Sequence, residues 1–380
     1  MIEEKLKILM LNHEFPPVGG GASPVTYELC KQLAHLGHHV DVVTMHYRGT
    51  PRFESVDGFN VYRTPAVRRK PDICHTHEMA TYLPGAIFKT LKLARKNSYD
   101  IIHCHFIVPG APLAWLVGKL TGTPFIVTCH GSDVPGYNPD RFKVIHRMIM
   151  PAWRFLTRRA DLLVSPSRSL KSLIRTNCPG VEVDIVPNGF HPTRFLAGEK
   201  EKRILMCSRI LPRKGFQYAL EAMRSMQLDW KVDIVGDGHY LDELRKIAAQ
   251  MDTPVKFWGW LDQKSEEFRY LYESGSIFIF PSEAENFPSV LLEAMAASMA
   301  IITSDAGGCP EVVGDAAIIV KPGDTVAIRE AIEKLTASET LCSQYGAAAL
   351  ERVRQFDWKH IANRNVDCYR NVIERRKNKK

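Results

Sequence analysis

Two glutamates, Glu285 and Glu293, stand with seven residues between them in the stretch PSEAENFPSVLLEAMA, from Pro281 to Ala296. The apolar run Ile277 to Phe280 ahead of them reads as a buried strand ended by Pro281 and Ser282. Asn286 is a good helix cap and Pro288 suits a first turn, so the spacing predicts a helix from Ser289 to Met299. Glu285 then lies at the mouth of a helix whose free N–H groups favour bound phosphate. Glu293 lies roughly 7–8 Å farther on, at 1.5 Å per residue. That is the separation of a diphosphate from the hydroxyls of a ribose. A loop carboxylate beside phosphates and a helix carboxylate beside a ribose suit a nucleotide-sugar. On these residues alone, a capped amphipathic helix with two ordinary surface acids is the standing alternative.

Further groups could serve the same chemistry. Arg209 and Lys214, in SRILPRKG, flank a strand end across a Pro-containing turn. A guanidinium gives phosphate a bidentate contact and a lysine adds a movable point charge. The pair suits a diphosphate leaving group, with the adjacent Arg213 as the substitute; taken alone they are surface charges. The loop Pro16-Pro17-Val18-Gly19-Gly20-Gly21 follows the first strand and precedes a helix from about Ser23. Its glycines let backbone N–H groups approach a phosphate, with Gly21 placed against the diphosphate, although the pattern is not the dinucleotide G-x-G-x-x-G. His130 ends the strand FIVTCH and on its own reads as a core histidine. His103 and His105 share a strand face and could meet one ion, but with Cys74, His75 and His77 they form no established zinc pattern.

These residues need a scaffold of strand ends. Both halves alternate short apolar strands with amphipathic helices, the pattern of parallel sheets covered on both faces. Strands are expected near 7–12, 39–45, 59–64, 101–106, 125–129, 162–166 and 183–186. In the second half they are expected near 203–208, 231–235, 255–258, 277–280, 300–303 and 317–320. Two doubly wound α/β domains follow, 1–188 and 200–357, facing across a cleft at the carboxyl ends of their strands. The linker is expected near 188–200, where PNGFHPTRFLAGEK loses periodicity.

At 380 residues, 45% of them hydrophobic, the chain can fill two cores. It has no apolar run of about 18 residues and no secretory leader is read at its start. Nine cysteines without a C-x-x-C suggest a reducing cytoplasm. Residues 1–190 hold 23 Lys and Arg against 15 Asp and Glu, whereas residues 191–380 hold 27 of each. A basic first half suits an anionic partner: a membrane surface, a phosphorylated acceptor or nucleic acid. Two segments set basic beside apolar side chains: AIFKTLKLARK, with Phe88, Leu91 and Leu93, and RFKVIHRMIMPAWRFLTRR, with Phe142, Ile145, Ile149 and Trp153.

Six segments together, in order, carry a resemblance. They are MLNHEFPPVGGGASPVTYELCKQLAHLGHHVDVVT, VTCHGSD from Val127, PNG from Pro187, SRILPRKG from Ser208, IVGDG from Ile234, and the Glu285–Glu293 stretch. They resemble the motifs of retaining GT-B glycosyltransferases of family 4, over residues 7 to about 313. The resemblance implies two Rossmann-like domains, with a C-terminal helix (about 358–376) returning to the first. It implies a UDP- or GDP-sugar donor, no cofactor and no metal, because basic groups and helix N-termini stabilise the leaving group. It places His130 against the donor sugar in a catalytic or orienting role, Arg209 and Lys214 on the phosphates, Glu285 on the sugar hydroxyls and Glu293 on the ribose. Gly21, Asn286, Phe287, Ser289 and Val290 complete the expected donor site, and Trp260 borders the base. Gly307, Gly308 and Glu311 match the family pattern without a firm role.

The expected activity is transfer of a hexose, with retention, to an acceptor hydroxyl, lipid-linked or phosphorylated, in glycan or glycolipid assembly. The expected location is the cytoplasm, with peripheral docking at the inner face of the cell membrane. A nucleotide-sugar 2-epimerase shares the architecture, and the paired glutamates with PRKG count against it. A nucleic-acid-binding protein using the basic half lacks a basic, aromatic-interleaved sheet or a recognition helix, so no nucleic-acid partner is expected.

Overall fold

The computed structural model describes residues 4–71, 74–137, 139–196 and 198–378, without the side chains of 139–146. The chain forms two compact units, Met1–Gly189 with Trp358–Lys380, and Phe190–Asp357.

The first unit is built on eight strands: β1 Lys7–Leu11, β2 His39–Met45, β3 Phe53–Val56, β4 Phe59–Thr64, β5 Ile101–His105, β6 Phe125–Thr128, β7 Leu162–Ser165 and β8 Val183–Ile185. Their order is β3-β4-β2-β1-β5-β6-β7-β8, and all neighbours are parallel except the β3–β4 hairpin. The central strands are apolar throughout because helices cover both faces. On one face Leu9, Leu11, Val43, Ile102, Val127 and Leu163 share a core with the helices Thr76–Lys96, Gly110–Thr121, Pro139–Arg159 and Arg168–Asn177. The alternate residues, among them Ile8, Met10, Val42, Ile126 and Val164, face the helices Ala22–His35 and Trp358–Lys377.

β3 has no counterpart among the expected strands. It is a short, half-exposed edge strand, and the turn Asp57-Gly58 (φ 48° and 84°) joins it to β4. An Asp-Gly pair between two strands is a hairpin signal present in the sequence.

The second unit has six parallel strands: β9 Arg203–Cys207, β10 Lys231–Val235, β11 Val255–Gly259, β12 Ile277–Phe280, β13 Ala300–Ser304 and β14 Ala317–Val320. Their order is β11-β10-β9-β12-β13-β14. The order reverses between β9 and β12, so the crevice beyond the carboxyl ends of those two strands is the place where such sheets take ligands.

Assigning charge by structural unit sharpens the asymmetry. The first unit holds 31 Lys and Arg against 17 Asp and Glu, because the last 23 residues belong to it, for a net +14. The second unit holds 19 against 25, a net −6.

Candidate functional site

The loops after β9 and β12 meet at the switch point of the second unit. The β9 loop closes as a single 3-10 turn, Pro212–Lys214, ended by Gly215 at φ 75°. A Cβ on Gly215 would meet the Pro281 carbonyl oxygen at 2.1 Å, so only glycine lets this loop lie on the end of β12. The backbone joins them too, since the Glu283 N–H donates to the Arg213 carbonyl at 2.8 Å. Lys214 is thereby buried and forms an ion pair with Glu285, which also accepts from the Ser282 hydroxyl at 2.7 Å. Gly308 N–H donates to the Glu285 carbonyl at 2.9 Å, which gives the Gly307–Gly308 segment a role in holding that loop. Arg209, by contrast, is exposed, and its guanidinium has no hydrogen bond or ion pair among the described residues. One fixed cation paired to a carboxylate and one free guanidinium therefore occupy the same loop at the switch point.

The expected helix starts at Ser289 but stops short of Met299. It spans Ser289–Ala296, with Pro288 in the cap position and no side-chain cap. Asn286 is therefore not the N-cap. Glu293 lies about 6 Å along the axis from Ser289, closer than expected. Phe287 is buried edge-on against Phe356, Ser289 is exposed and Val290 half-buried. Glu293 is no surface acid: at 1% exposure it accepts from Arg194 Nη1 (3.1 Å), the Tyr272 hydroxyl (3.1 Å) and Gln263 Nε2 (3.4 Å). Burial raises its pKa, and the Arg194 charge opposes that rise. Trp260 stands 73% exposed just after β11, where the Gly236 N–H holds the Gly259 carbonyl at 2.8 Å.

In the first unit the glycine loop is constrained at one end and open at the other. Gly19 has φ 112°, and a Cβ there would meet Glu14 Cβ at 2.7 Å. Gly21 heads the helix Ala22–His35 in ordinary helical geometry, with nothing within 4 Å of a Cβ. Among the described residues nothing crowds a side chain at that position. The neighbouring Gly20 N–H is already taken by Glu14 Oε2 at 3.0 Å, and Glu14 in turn faces the buried Arg68 at 3.5 Å.

His130 follows β6. Its backbone N–H donates to Asp133 Oδ1 (2.9 Å), and Asp133 also accepts from Gly131 and Ile107 N–H groups at 3.0 and 2.8 Å. The carboxylate thus folds the turn rather than facing outward. Burial pushes the Asp133 pKa up, against these hydrogen bonds, and drives His130 down to about 3, so the imidazole is neutral. His103 does not pair with His105 on an ion: its two nitrogens lie 2.7 Å from the Tyr369 and Thr128 hydroxyls. Among the described residues, no group of three or more His, Cys, Asp or Glu is placed to hold a metal ion.

Comparison with known proteins bears on this arrangement. The family model described as Glycosyltransferase Family 4 matches residues 19–194, and that described as Glycosyl transferases group 1 matches residues 190–352. The sucrose-phosphate synthase of Thermosynechococcus elongatus superposes with a TM-score of 0.77 at 22% identity, covering 97% of this chain and 100% of that one. The chain is a GT-B glycosyltransferase. An uncharacterised glycosyltransferase of Methanocaldococcus jannaschii is 28% identical over 97% of this chain and 99% of its own. The N-acetyl-α-D-glucosaminyl L-malate synthase of Bacillus anthracis is 26% identical over 96% and 97%. The Anabaena protein HepE, solved in complex with UDP and glucose, superposes with a TM-score of 0.71 at 18% identity, covering 96% of this chain and 99% of its own.

Sequence reasoning missed several side chains that organise this glycosyltransferase. Arg194 and Gln263 lie in irregular or loop segments whose link to Glu293 spans 99 and 30 residues. No local pattern carries such a link. Ser282 lies in the motif itself and reads there only as a strand terminator. His105 is legible as a histidine alternating with His103, but alternation on one strand carries no sign of a histidine partner beyond the next.

Proposed function

We propose that this glycosyltransferase moves a hexose from a UDP- or GDP-sugar to an acceptor hydroxyl with retention at the anomeric carbon. The observation that carries the reading is Arg209, without a side-chain partner among the described residues, beside the fixed Lys214–Glu285 pair at the switch point of the second unit. Arg209 and Lys214 would take the diphosphate, with the head of the helix Ser289–Ala296 supplying further N–H groups. Glu285 would accept from sugar hydroxyls. Glu293 would meet the ribose, exchanging part of its contact with Arg194. Trp260 offers an exposed ring for the base. Because Lys214 and Ser282 already hold Glu285, it is a poor nucleophile. The reading therefore favours a front-face path: the acceptor oxygen bonds to the anomeric carbon as the bond to the diphosphate breaks, and its proton passes to the departing phosphate oxygen. The test is a panel of nucleotide-sugars scored for hydrolysis and for thermal stabilisation. Stabilisation by one nucleoside diphosphate and its sugar is expected. Turnover to an epimerised nucleotide-sugar, with no acceptor needed, would overturn the transferase assignment of the site.

The acceptor reading is a lipid-linked or membrane-proximal hydroxyl reached from an anionic bilayer. Not every apolar side chain of the two basic segments serves it: Leu93 and Trp153 are buried in the core, and Phe142 and Ile145 lie outside the described side chains. Phe88, Leu120, Met148 and Phe155, however, are 72, 62, 76 and 42% exposed. They belong to three helices on one face of the sheet, and the middle helix, Gly110–Thr121, packs against both others. Lys119 and Arg159 lie over the Trp115 and Phe155 rings, and Lys92, Arg95 and Lys96 flank Phe88. Basic residues near an anionic surface contribute about 1 kcal/mol each, and apolar side chains among them suit the interface plane. No helix among the described residues is long and apolar enough to cross a membrane. Flotation with anionic liposomes should carry the protein, and Phe88→Ser with Lys92→Glu should weaken it at low salt. Equal, negligible flotation with anionic and neutral liposomes would leave a phosphorylated acceptor as the better explanation.

A further inference from the structure

The contact of His130 with a second histidine determines more than its position. His130 Nε2 lies 2.9 Å from His105 Nδ1, and the two rings are stacked with centroids 5.2 Å apart. His105 is fully buried at the end of β5. Its ring is also stacked on His103, at 4.6 Å, and His103 is itself fixed by Tyr369 and Thr128. His105 thus has little freedom to turn. Its other nitrogen, Nε2, is buried with no hydrogen-bond partner among the described residues.

That orphaned nitrogen decides the direction of the histidine–histidine bond. A neutral imidazole carries one proton. A proton on His105 Nε2 would bury an N–H with nothing to accept it, and orphaned buried N–H groups are rare in folded proteins. A proton on His105 Nδ1 is donated to His130 Nε2 instead. His130 Nε2 then serves as the acceptor, so the single proton of the neutral His130 ring resides on Nδ1. That nitrogen has no hydrogen-bond partner among the described residues, and His130 as a residue is only partly buried.

We propose that His105 is a positioning residue that fixes the tautomer of His130, so that His130 meets the donor sugar as an Nδ1–H hydrogen-bond donor and not as a proton acceptor. The proposal rests on the reading that His130 contacts the donor sugar. Its consequence for the reaction is specific. With its proton already on the nitrogen that faces the ligand, His130 orients a sugar hydroxyl by donating to its oxygen, and it cannot take the acceptor's proton at that atom. The side-by-side pattern His103-Cys104-His105 then has two distinct roles. His103 is a saturated spacer, and His105 carries the directional bond.

The test separates the tautomer from the activity. Long-range ¹H–¹⁵N spectra of the full chain labelled with ¹⁵N-histidine, assigned with His130→Gln and His105→Asn, should show His130 protonated at Nδ1 and bare at Nε2. The opposite tautomer in the wild-type protein would overturn the proposal whether or not any variant folds. His105→Leu removes the donor, so His130 should populate both tautomers and kcat should fall about tenfold with the donor KM little changed. His105→Asn, whose amide N–H can stand in for Nδ1–H, should recover most of that loss, and failure of the rescue in a folded variant counts against the directional bond. If the Nδ1–H tautomer is found but His130→Ala keeps wild-type kcat, the positioning half stands and the contact with the sugar is overturned.

Discussion

Arg209→Ala is expected to lower kcat by about 10²- to 10³-fold, the usual cost of removing one preorganised charge partner, with no loss of melting temperature. The guanidinium is exposed and has no partner among the described residues, so the fold does not depend on it. Lys214→Ala should lower turnover by a similar factor, but with a different signature. Lys214 and Glu285 are about equally buried, with side chains 10 and 11% exposed. Removing the lysine leaves a mostly buried carboxylate with only the Ser282 hydroxyl, so stability should fall as well, by about 3 kcal/mol. Lys214→Ala combined with Glu285→Gln should restore the stability and not the turnover. Steady-state kinetics and urea unfolding on the three variants separate the two effects. Near-wild-type kcat in both single variants would falsify the assignment of the phosphate site to this loop.

The contrast between these two cations shows where the sequence is legible and where it is not. SRILPRKG marks both residues as candidates, but nothing in it says that one is locked to a carboxylate 71 residues away while the other has no partner among the described residues. The strands follow readily from sequence, because buried parallel strands are continuous apolar runs: the IFIF of β12 is buried at every position. β3 escapes because its pattern is short and half-exposed, even though Asp57-Gly58 marks the turn beside it. The cap at Asn286 misleads for a related reason. Capping preference is a local rule, and here the segment after β12, pinned by the Glu283–Arg213 backbone bond and the Gly308–Glu285 bond, leaves the cap position to Pro288. The histidines are the hardest case. His103 and His105 lie on β5 and His130 lies just beyond the neighbouring β6, and which ring meets which depends on the parallel register of β5 with β6 and on Tyr369, 266 residues from His103.

Arg194→Met is expected to destabilise the second unit by about 3–5 kcal/mol at pH 7, because it leaves a buried carboxylate without its counter-charge. The pair is asymmetric: the Glu293 side chain is 2% exposed and that of Arg194 is 29% exposed. Water can solvate Arg194 when Glu293 is neutralised, but only the neutral donors Tyr272 and Gln263 remain to the buried Glu293 when Arg194 is lost. Glu293→Gln should therefore cost much less than Arg194→Met, since a glutamine oxygen still accepts from the Tyr272 hydroxyl. The pH dependence follows from the raised pKa of Glu293, which burial causes and which the loss of Arg194 raises further. A carboxyl with a folded pKa above its unfolded value favours the fold when protonated, and that contribution is lost as pH rises through the folded pKa. The deficit of Arg194→Met should therefore shrink as pH falls from 7 towards 5, and that of Glu293→Gln should not. Urea unfolding of the two variants at pH 7 and pH 5 measures this directly. Equal costs at both pH values, or a larger cost for Glu293→Gln, would mean that Arg194 does not hold the charge of Glu293. Donor binding adds an independent readout. If Glu293 exchanges Arg194 for the ribose, then Glu293→Ala should raise the donor KM with little change in kcat, because a contact made equally in ground and transition states contributes to binding alone.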